Sequence, residues 1–413
     1  MPKRPAPRDR LVIASARRGT FRQRLFVTFL TVLALASARQ LVIAPGHGQD
    51  FRDFFAAATL VAEGRDPYNV GALAEEQNRL YNQPGHLKPG DLAFYDAVPY
   101  PQGPWVAMAL IPVTPLPWQV AYVIYLVGAI TALAASGWAL LRLFGWSGRP
   151  LRLAVGAILF SPVAFINIFQ GQPVPFLLAA FAGAWALHRG NRPMLAGALM
   201  AVAWIKPHIG LPLLLVLGIV EPAPVRRLIT GFLLGSAALF VVAALALREA
   251  LLEWPQVVFG QWSGALQQAD LASINAFYYP ALHGGLRQGA VALVALAAAG
   301  YAIRVVRQHR DRPLVALTLL LLTLLAAPYA HSYDALLLLP VVLAVLGAQA
   351  QRWADPPVEI ALWAFAIFPV LYFAGLHVGY FNGFTAIPVA LLGVAWHLRL
   401  RPAPAGSALA VAA

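Results

Sequence analysis

The sequence predicts an all-α, polytopic membrane protein, and three observations carry that prediction. Apolar stretches follow one another from Phe21 to Leu398, joined mostly by short loops. The 413-residue chain is 60% hydrophobic and only 11% charged, where soluble domains average roughly 25% charged residues. The loops also alternate in character. One set is basic: Lys3 to Arg24, Arg142/Arg149/Arg152, Arg189/Arg192, Arg226/Arg227, Arg304/Arg307/Arg310/Arg312, Arg352 and Arg399/Arg401. The other set, at 46–104, 249–287, 331–334 and 377–382, is acidic, aromatic and amide-rich. Short cytoplasmic loops accumulate Lys and Arg, so the alternation puts both termini in the cytoplasm and the second set of loops outside. The expected location is the cell membrane, crossed many times.

The elements follow in order. A basic tail, 1–20, leads into a first span at 21–43. No small-residue cleavage site follows that span, so the sequence predicts an uncleaved helix. The first outer loop, 46–104, is about sixty residues long, and a loop of that length in a compact protein is usually functional. Inside it Phe54 to Glu63 reads as an amphipathic helix lying in the headgroup plane. Asp66-Pro67-Tyr68 reads as a turn, and Leu73 to Leu80 as a second short helix. Gly103 to Pro117 carries Pro104, Pro112, Pro115 and Pro117; it is too short to cross and reads as re-entrant or as a bent lead-in. Spans are then expected at 118–141, 153–169, 173–188, 194–205, 208–221, 228–247, 287–303, 313–329, 335–349, 358–376 and 384–398. A crossing takes about 20 residues. The pair meeting at Lys206-Pro207 therefore reads as two half-length helices near the outer face. Such breaks survive at membrane depth only where protein packs them or a wet cavity lies beside them. The sequence predicts about eleven to thirteen spans in one domain, 21–398, followed by a cytoplasmic tail, 399–413.

Charge and cysteine content exclude several function classes. The net charge of +13 comes from 30 Lys and Arg, most of them in the basic loops, whereas most of the 17 Asp and Glu fall in the outer set. That split is a topogenic signal with attraction to anionic membrane lipid, and it predicts no nucleic-acid partner. With no cysteine there is no disulfide, iron–sulfur cluster or thiol nucleophile. No Ser-His-Asp spacing, HExxH or phosphate-cradling glycine loop is present. What remains is a set of isolated polar groups at the outer ends of helices.

Asp50 comes first, just after the first span. A carboxylate there can take a proton from a sugar hydroxyl if its surroundings raise its basicity, or it is a solvated or helix-capping aspartate. Asp53, nearer the expected 54–63 helix, is the better cap. Lys206 lies in an apolar stretch, where a charge faces a cavity or a partner; it can hold a lipid phosphate as a point charge or snorkel from a helix end. In the run Pro328 to Asp334, His331 and Asp334 are three apart and can share a helix face toward a substrate or metal. Satisfaction of the loop explains either residue alone. Gln170-Gly171-Gln172-Pro173 offers amides for sugar hydroxyls or an ordinary turn. The aromatics Trp254, Trp262, Phe277, Tyr278 and Tyr279 suit an interfacial belt or sugar stacking.

Together these residues resemble a known family. Asp50-Phe51-x-x-Phe54-Phe55-x-Ala57-Ala58 after a first helix is similar to the opening motif of glycosyltransferase family 87, the polyprenyl-phosphate-mannose-dependent mannosyltransferase-like proteins. Glu63-Gly64-x-Asp66-Pro67-Tyr68, Tyr100-Pro101, Gly171-Gln172, Ile205-Lys206-Pro207 and the stretch ending at Asp334 follow in the same order, over roughly residues 21 to 345. The chain departs from the family in having Gln102-Gly103 after Tyr100-Pro101, where Tyr-Pro-Pro is usual, and Phe54-Phe55 where Tyr-Tyr is frequent. The resemblance implies a GT-C architecture and an inverting transfer of a hexose (mannose-like) or pentose. The donor would be a polyprenyl-phosphate-linked sugar, and the recipient a glycan or lipid acceptor on the outer face. It implies Asp50 as base and Lys206 as the group holding the donor phosphate. Asp53, Tyr100, Gln172, His331, Tyr333 and Asp334 would bind or orient substrate. The resemblance implies no cofactor, with a divalent metal as the alternative. The competing readings are a transporter or lipid flippase, which also uses broken helices, and a non-catalytic scaffold.

Overall fold

A computed structural model describes residues 48–81, 100–159, 161–221, 224–265, 282, 284–308, 312–327 and 330–339. The predicted spans 21–43, 358–376 and 384–398, most of 335–349, both tails and the aromatics Phe277, Tyr278 and Tyr279 lie outside the described residues. Within them the chain is helical: α1 (Gln49–Ala62), α2 (Val70–Tyr81), α3 (Pro104–Leu110), α4 (Trp118–Leu143), α5 (Gly148–Leu159), α6 (Pro162–Gln170), α7 (Val174–Arg189), α8 (Pro193–Leu199), α9 (Pro207–Val220), α10 (Val225–Ala246), α11 (Arg248–Ala265), α12 (Gly284–Gln308) and α13 (Arg312–Ala326). Short 3-10 turns extend α3 (Ile111–Val113) and α8 (Met200–Ile205), and a third covers Ser332–Leu338. Trp118–Leu143, Val225–Ala246 and Gly285–Arg307 are long and apolar enough to cross a membrane. Their exposed faces carry Val123, Val127, Leu233, Val241, Leu293 and Leu296. Apolar stripes of that size are stable against lipid rather than water.

Two cores hold these helices. The larger is aliphatic. It joins α4 through α10 to α13 and the 332–338 turn, through residues such as Leu133, Ile158, Leu177, Ile209, Leu320 and Leu336. The smaller is aromatic, built from α1, α2, α3, the start of α4 and α11. There the rings of Trp105 and Trp254 meet edge to face at 4.9 Å.

The structure corrects several expectations. The helix expected at 54–63 begins at Gln49 and is packed inside the protein rather than presenting an apolar face outward. Phe51, Phe54, Phe55, Ala56, Ala57, Ala58 and Leu60 are all buried. Its amphipathic pattern arises because several elements cover it, α2, α3 and α6 among them. Gly48, in the left-handed conformation at φ 70°, is its N-cap, so Asp53 lies in the second turn and not at the cap position. The span expected at 153–169 is two helices, because Ser161 precedes a proline and caps α6, its Oγ accepting from the Ala164 N–H at 3.2 Å. A residue before proline is driven out of the α region, and Ser is a preferred cap. Trp254 belongs neither to a belt nor to an open stacking face: it is buried, and its Nε1 donates to the Pro101 carbonyl at 3.3 Å. The 103–117 stretch folds as α3 and its 3-10 turn, which run into α4. The turn at Asp66 is as expected, Oδ1 accepting from the Tyr68 N–H at 3.0 Å.

Candidate active site

The site grows from the corner between α6 and α7. Gly171 ends α6 at φ 77°, and a Cβ there would lie 2.5 Å from the Phe51 Cβ. Only glycine tolerates both the left-handed backbone and that approach. The carbonyls left open at the end of α6 are taken up from outside the helix. The Gly48 N–H donates to the Phe169 carbonyl at 2.6 Å, and the Tyr122 hydroxyl donates to the Ile168 carbonyl at 2.7 Å. These bonds fix the start of α1 against the corner. They place Asp50, half-buried in the first turn of α1, beside Gln172, whose Nε2 donates to Asp50 Oδ2. A carboxylate in a first helical turn is stabilised by the helix dipole. Next to it the buried Arg52 guanidinium lies 4.2 Å from the Trp118 ring centroid.

A second group forms where α8 gives way to α9. Pro207 keeps Lys206 out of the α region (φ −138°, ψ 79°), and the break turns its side chain inward. Lys206 is 4% exposed and Asp334 0%. The ammonium donates to Asp334 Oδ1 at 2.9 Å and lies 4.2 Å from the Tyr333 ring centroid. The other carboxylate oxygen, Oδ2, accepts from the His331 backbone N–H at 2.9 Å. Lys206 is thus a buried, ion-paired residue rather than a snorkelling one. Both Asp334 oxygens are engaged within the protein, which is the loop-satisfaction alternative for that residue. The His331 and Tyr333 rings pack 5.0 Å apart, and His208 shares the electrostatic neighbourhood of Lys206 and His331.

Asn167, which the sequence reading passed over, links the two groups. Its backbone carbonyl accepts from the Gly171 and Gln172 N–H groups at 3.0 and 2.9 Å. Its Nδ2 donates to the Tyr333 carbonyl at 2.8 Å and the Val163 carbonyl at 2.9 Å. The signal for it in the sequence is an amide inside the otherwise apolar run Pro162 to Phe169. Tyr100 sits apart, in the aromatic core. Its hydroxyl donates to the Gly103 carbonyl at 2.9 Å and accepts from the Ala107 N–H at 3.0 Å, which organises the lead-in. Nearby, burial pushes the Tyr68 phenol far above its usual pKa, with smaller contributions from Tyr100 and Asp66. Its hydroxyl donates to the Gln102 carbonyl at 2.6 Å. Among the described residues no three His, Asp or Glu side chains converge on a metal-sized site.

Fold and site together define a helical membrane protein in which a half-buried carboxylate and a buried ammonium are joined through one helix corner. The model of glycosyltransferase family 87 matches residues 100–328, more than half of the chain, and the chain belongs to that family. It is therefore a membrane glycosyltransferase. Tyr100, Asn167, Gln172 and Lys206 fall within the matched segment; Asp50, Asp53, His331, Tyr333 and Asp334 fall outside it. No curated protein and no solved structure matches the chain.

Proposed function

We propose that the protein transfers a hexose, mannose-like, or a pentose from a polyprenyl-phosphate donor to a glycan or lipid acceptor, on the non-cytoplasmic face of the cell membrane. The reaction inverts the anomeric centre. An acceptor hydroxyl oxygen forms the new bond to the anomeric carbon as the bond to the phosphate oxygen breaks. The hydroxyl proton passes to Asp50, and the polyprenyl phosphate leaves as an anion. One base suffices, because a phosphate is a stable leaving group and cationic stabilisation replaces a general acid.

The observation that carries this reading is the run of contacts from Asp50 through Gln172 and Asn167 to Tyr333, Lys206 and Asp334. It ties a carboxylate suited to proton removal to an ammonium suited to a phosphate, in a chain of this family. Lys206 already gives one N–H to Asp334 and keeps two donors for a phosphate oxygen. His331 and Tyr333 line that end, and Gln172 orients Asp50. Loop charge supports the placement of the site outside the cytoplasm.

The test is transfer by purified protein in detergent or liposomes, with radiolabelled polyprenyl-phosphate sugars and nucleotide sugars offered in parallel to a panel of acceptors. Labelled product from the lipid-linked donor alone is expected. Product from the nucleotide sugar alone, or movement of substrate across liposomes without product, would overturn the reading.

A further inference from the structure

We propose that Asn167 is a positioning residue whose carboxamide sets the separation between the Asp50 half and the Lys206 half of the site, so that turnover depends on it while donor binding does not. The inference rests on the proposed transfer reaction for its kinetic part and on geometry for the rest.

Asn167 is 1% exposed and makes bonds in two directions. Its main-chain carbonyl takes the N–H groups of Gly171 and Gln172. It thereby closes the left-handed turn that delivers Gln172 to Asp50. Its side-chain NH₂ takes the carbonyls of Val163 and Tyr333. The first of these bonds anchors the amide to its own helix, four residues back. The second reaches across 166 positions of sequence to the turn that carries Tyr333 and Asp334. Both acceptors are carbonyls, which have no proton to give, so the nitrogen end of the amide must face them and the amide orientation is fixed. Its oxygen, Oδ1, is buried with no hydrogen-bond partner. A buried polar atom left unsatisfied costs stability, and Leu or Met would fill this place in a purely structural helix. Retaining Asn makes sense if the Tyr333 bond is worth that cost. Losing it frees the 331–339 turn from α6, and the Asp334–Lys206 pair then shifts relative to Gln172 and Asp50. Reacting groups tolerate little of this, because a misplacement of about 1 Å can lower a rate roughly a hundredfold.

Two variants and two readouts test the proposal on full-length purified protein. Asn167→Leu keeps the volume and deletes the donor. Asn167→Gln keeps the amide on a longer stem. In hydrogen–deuterium exchange, Asn167→Leu should raise exchange in the 331–338 turn selectively, and Asn167→Gln should raise it less. In transfer assays per folded molecule, kcat for Asn167→Leu should fall by about ten- to a hundredfold. Its KM for the lipid-linked donor should stay within about twofold, and Asn167→Gln should recover part of the loss. Unchanged exchange in 331–338 would overturn the proposal whatever the kinetics. So would a loss of transfer no greater than the loss of folded protein, or a rise in KM at constant kcat. If the parent protein transfers no sugar from any lipid-linked donor, the functional reading fails on its own while the exchange result still decides whether Asn167 holds the turn.

Discussion

The two charged groups of the candidate site are held in opposite ways. Asp50 is half-buried and its contact with Gln172 comes from a neutral amide. Lys206 is buried and faces a buried carboxylate of opposite charge, whose second oxygen is itself engaged. An amide donor orients a carboxylate without bringing a charge of its own. An ion pair cancels charge and is stable in low dielectric only while both members are present. The Lys206 half is thus first of all a tie between α9 and the 331–339 turn, whereas the Asp50 half is the one proposed to react. Any phosphate must be met by the ammonium donors that Asp334 does not use.

Breaking the ion pair should have the largest effect on stability. Asp334→Ala strands a buried ammonium and should cost about 3–5 kcal/mol, read as a lowered denaturation midpoint of the purified protein. Replacing both members, Lys206→Met with Asp334→Leu, should restore most of that stability, as apolar replacements of buried pairs generally do, yet leave donor use weak. If the double variant uses donor normally, Lys206 has no role in holding phosphate.

Two glycines allow each half to be disturbed separately. Gly171→Ala forces a Cβ against Phe51 on the Asp50 side. Gly210→Ala forces one to within 2.4 Å of the Ala203 carbonyl oxygen, beside the Lys206 break. Overpacking of this kind typically costs about 1–3 kcal/mol. The first variant should lower kcat and the second should raise donor KM; the reverse pattern would mean the halves have been assigned the wrong way round.

The smallest effect belongs to the contact between α11 and the turn at Asp66 in the aromatic region. Glu253 is exposed, and its pKa is raised chiefly by a shared hydrogen bond with Asp66 and then by that carboxylate's charge. A raised carboxyl pKa means the folded protein binds the proton more tightly, so this contribution is present at acid pH and is lost as pH rises past the raised value. Glu253→Gln should therefore leave thermal stability unchanged near pH 4 and raise it slightly near pH 7. A loss of stability near pH 7 would show that Glu253 makes a favourable contact as the anion.

How much of this was legible in sequence follows from how local each signal is. The starts of α4, α7 and α10 and the break at Lys206 lie close to their expected positions, because hydropathy, proline and the pre-proline constraint act over a few residues. The burial of α1 was not legible, since the same pattern serves a helix at the headgroups and one packed on several sides. The Ser161 break was hidden inside an otherwise apolar run. Lys206 and Asp334 were each singled out, but their pairing spans 128 residues and no periodicity reports it. Asn167 gives no sequence signal of its role, because one amide among apolar residues carries no pattern and its contacts lie far away in sequence.

The proposed function turns on Asp50 acting as the base of a transfer from a lipid-linked sugar. Asp50→Asn keeps the size and hydrogen-bonding capacity of the side chain and removes its basicity. The most direct measurement is the transfer rate of this variant against the parent and against Asp53→Asn, whose carboxylate is buried one turn along α1. Folded fraction and donor binding are measured on the same samples. A loss of about 10²–10⁴-fold is expected for Asp50→Asn with folding and donor binding near parental levels, and a far smaller loss for Asp53→Asn. Transfer by Asp50→Asn at the parent rate, or abolition of transfer in Asp53→Asn alone, would contradict that role.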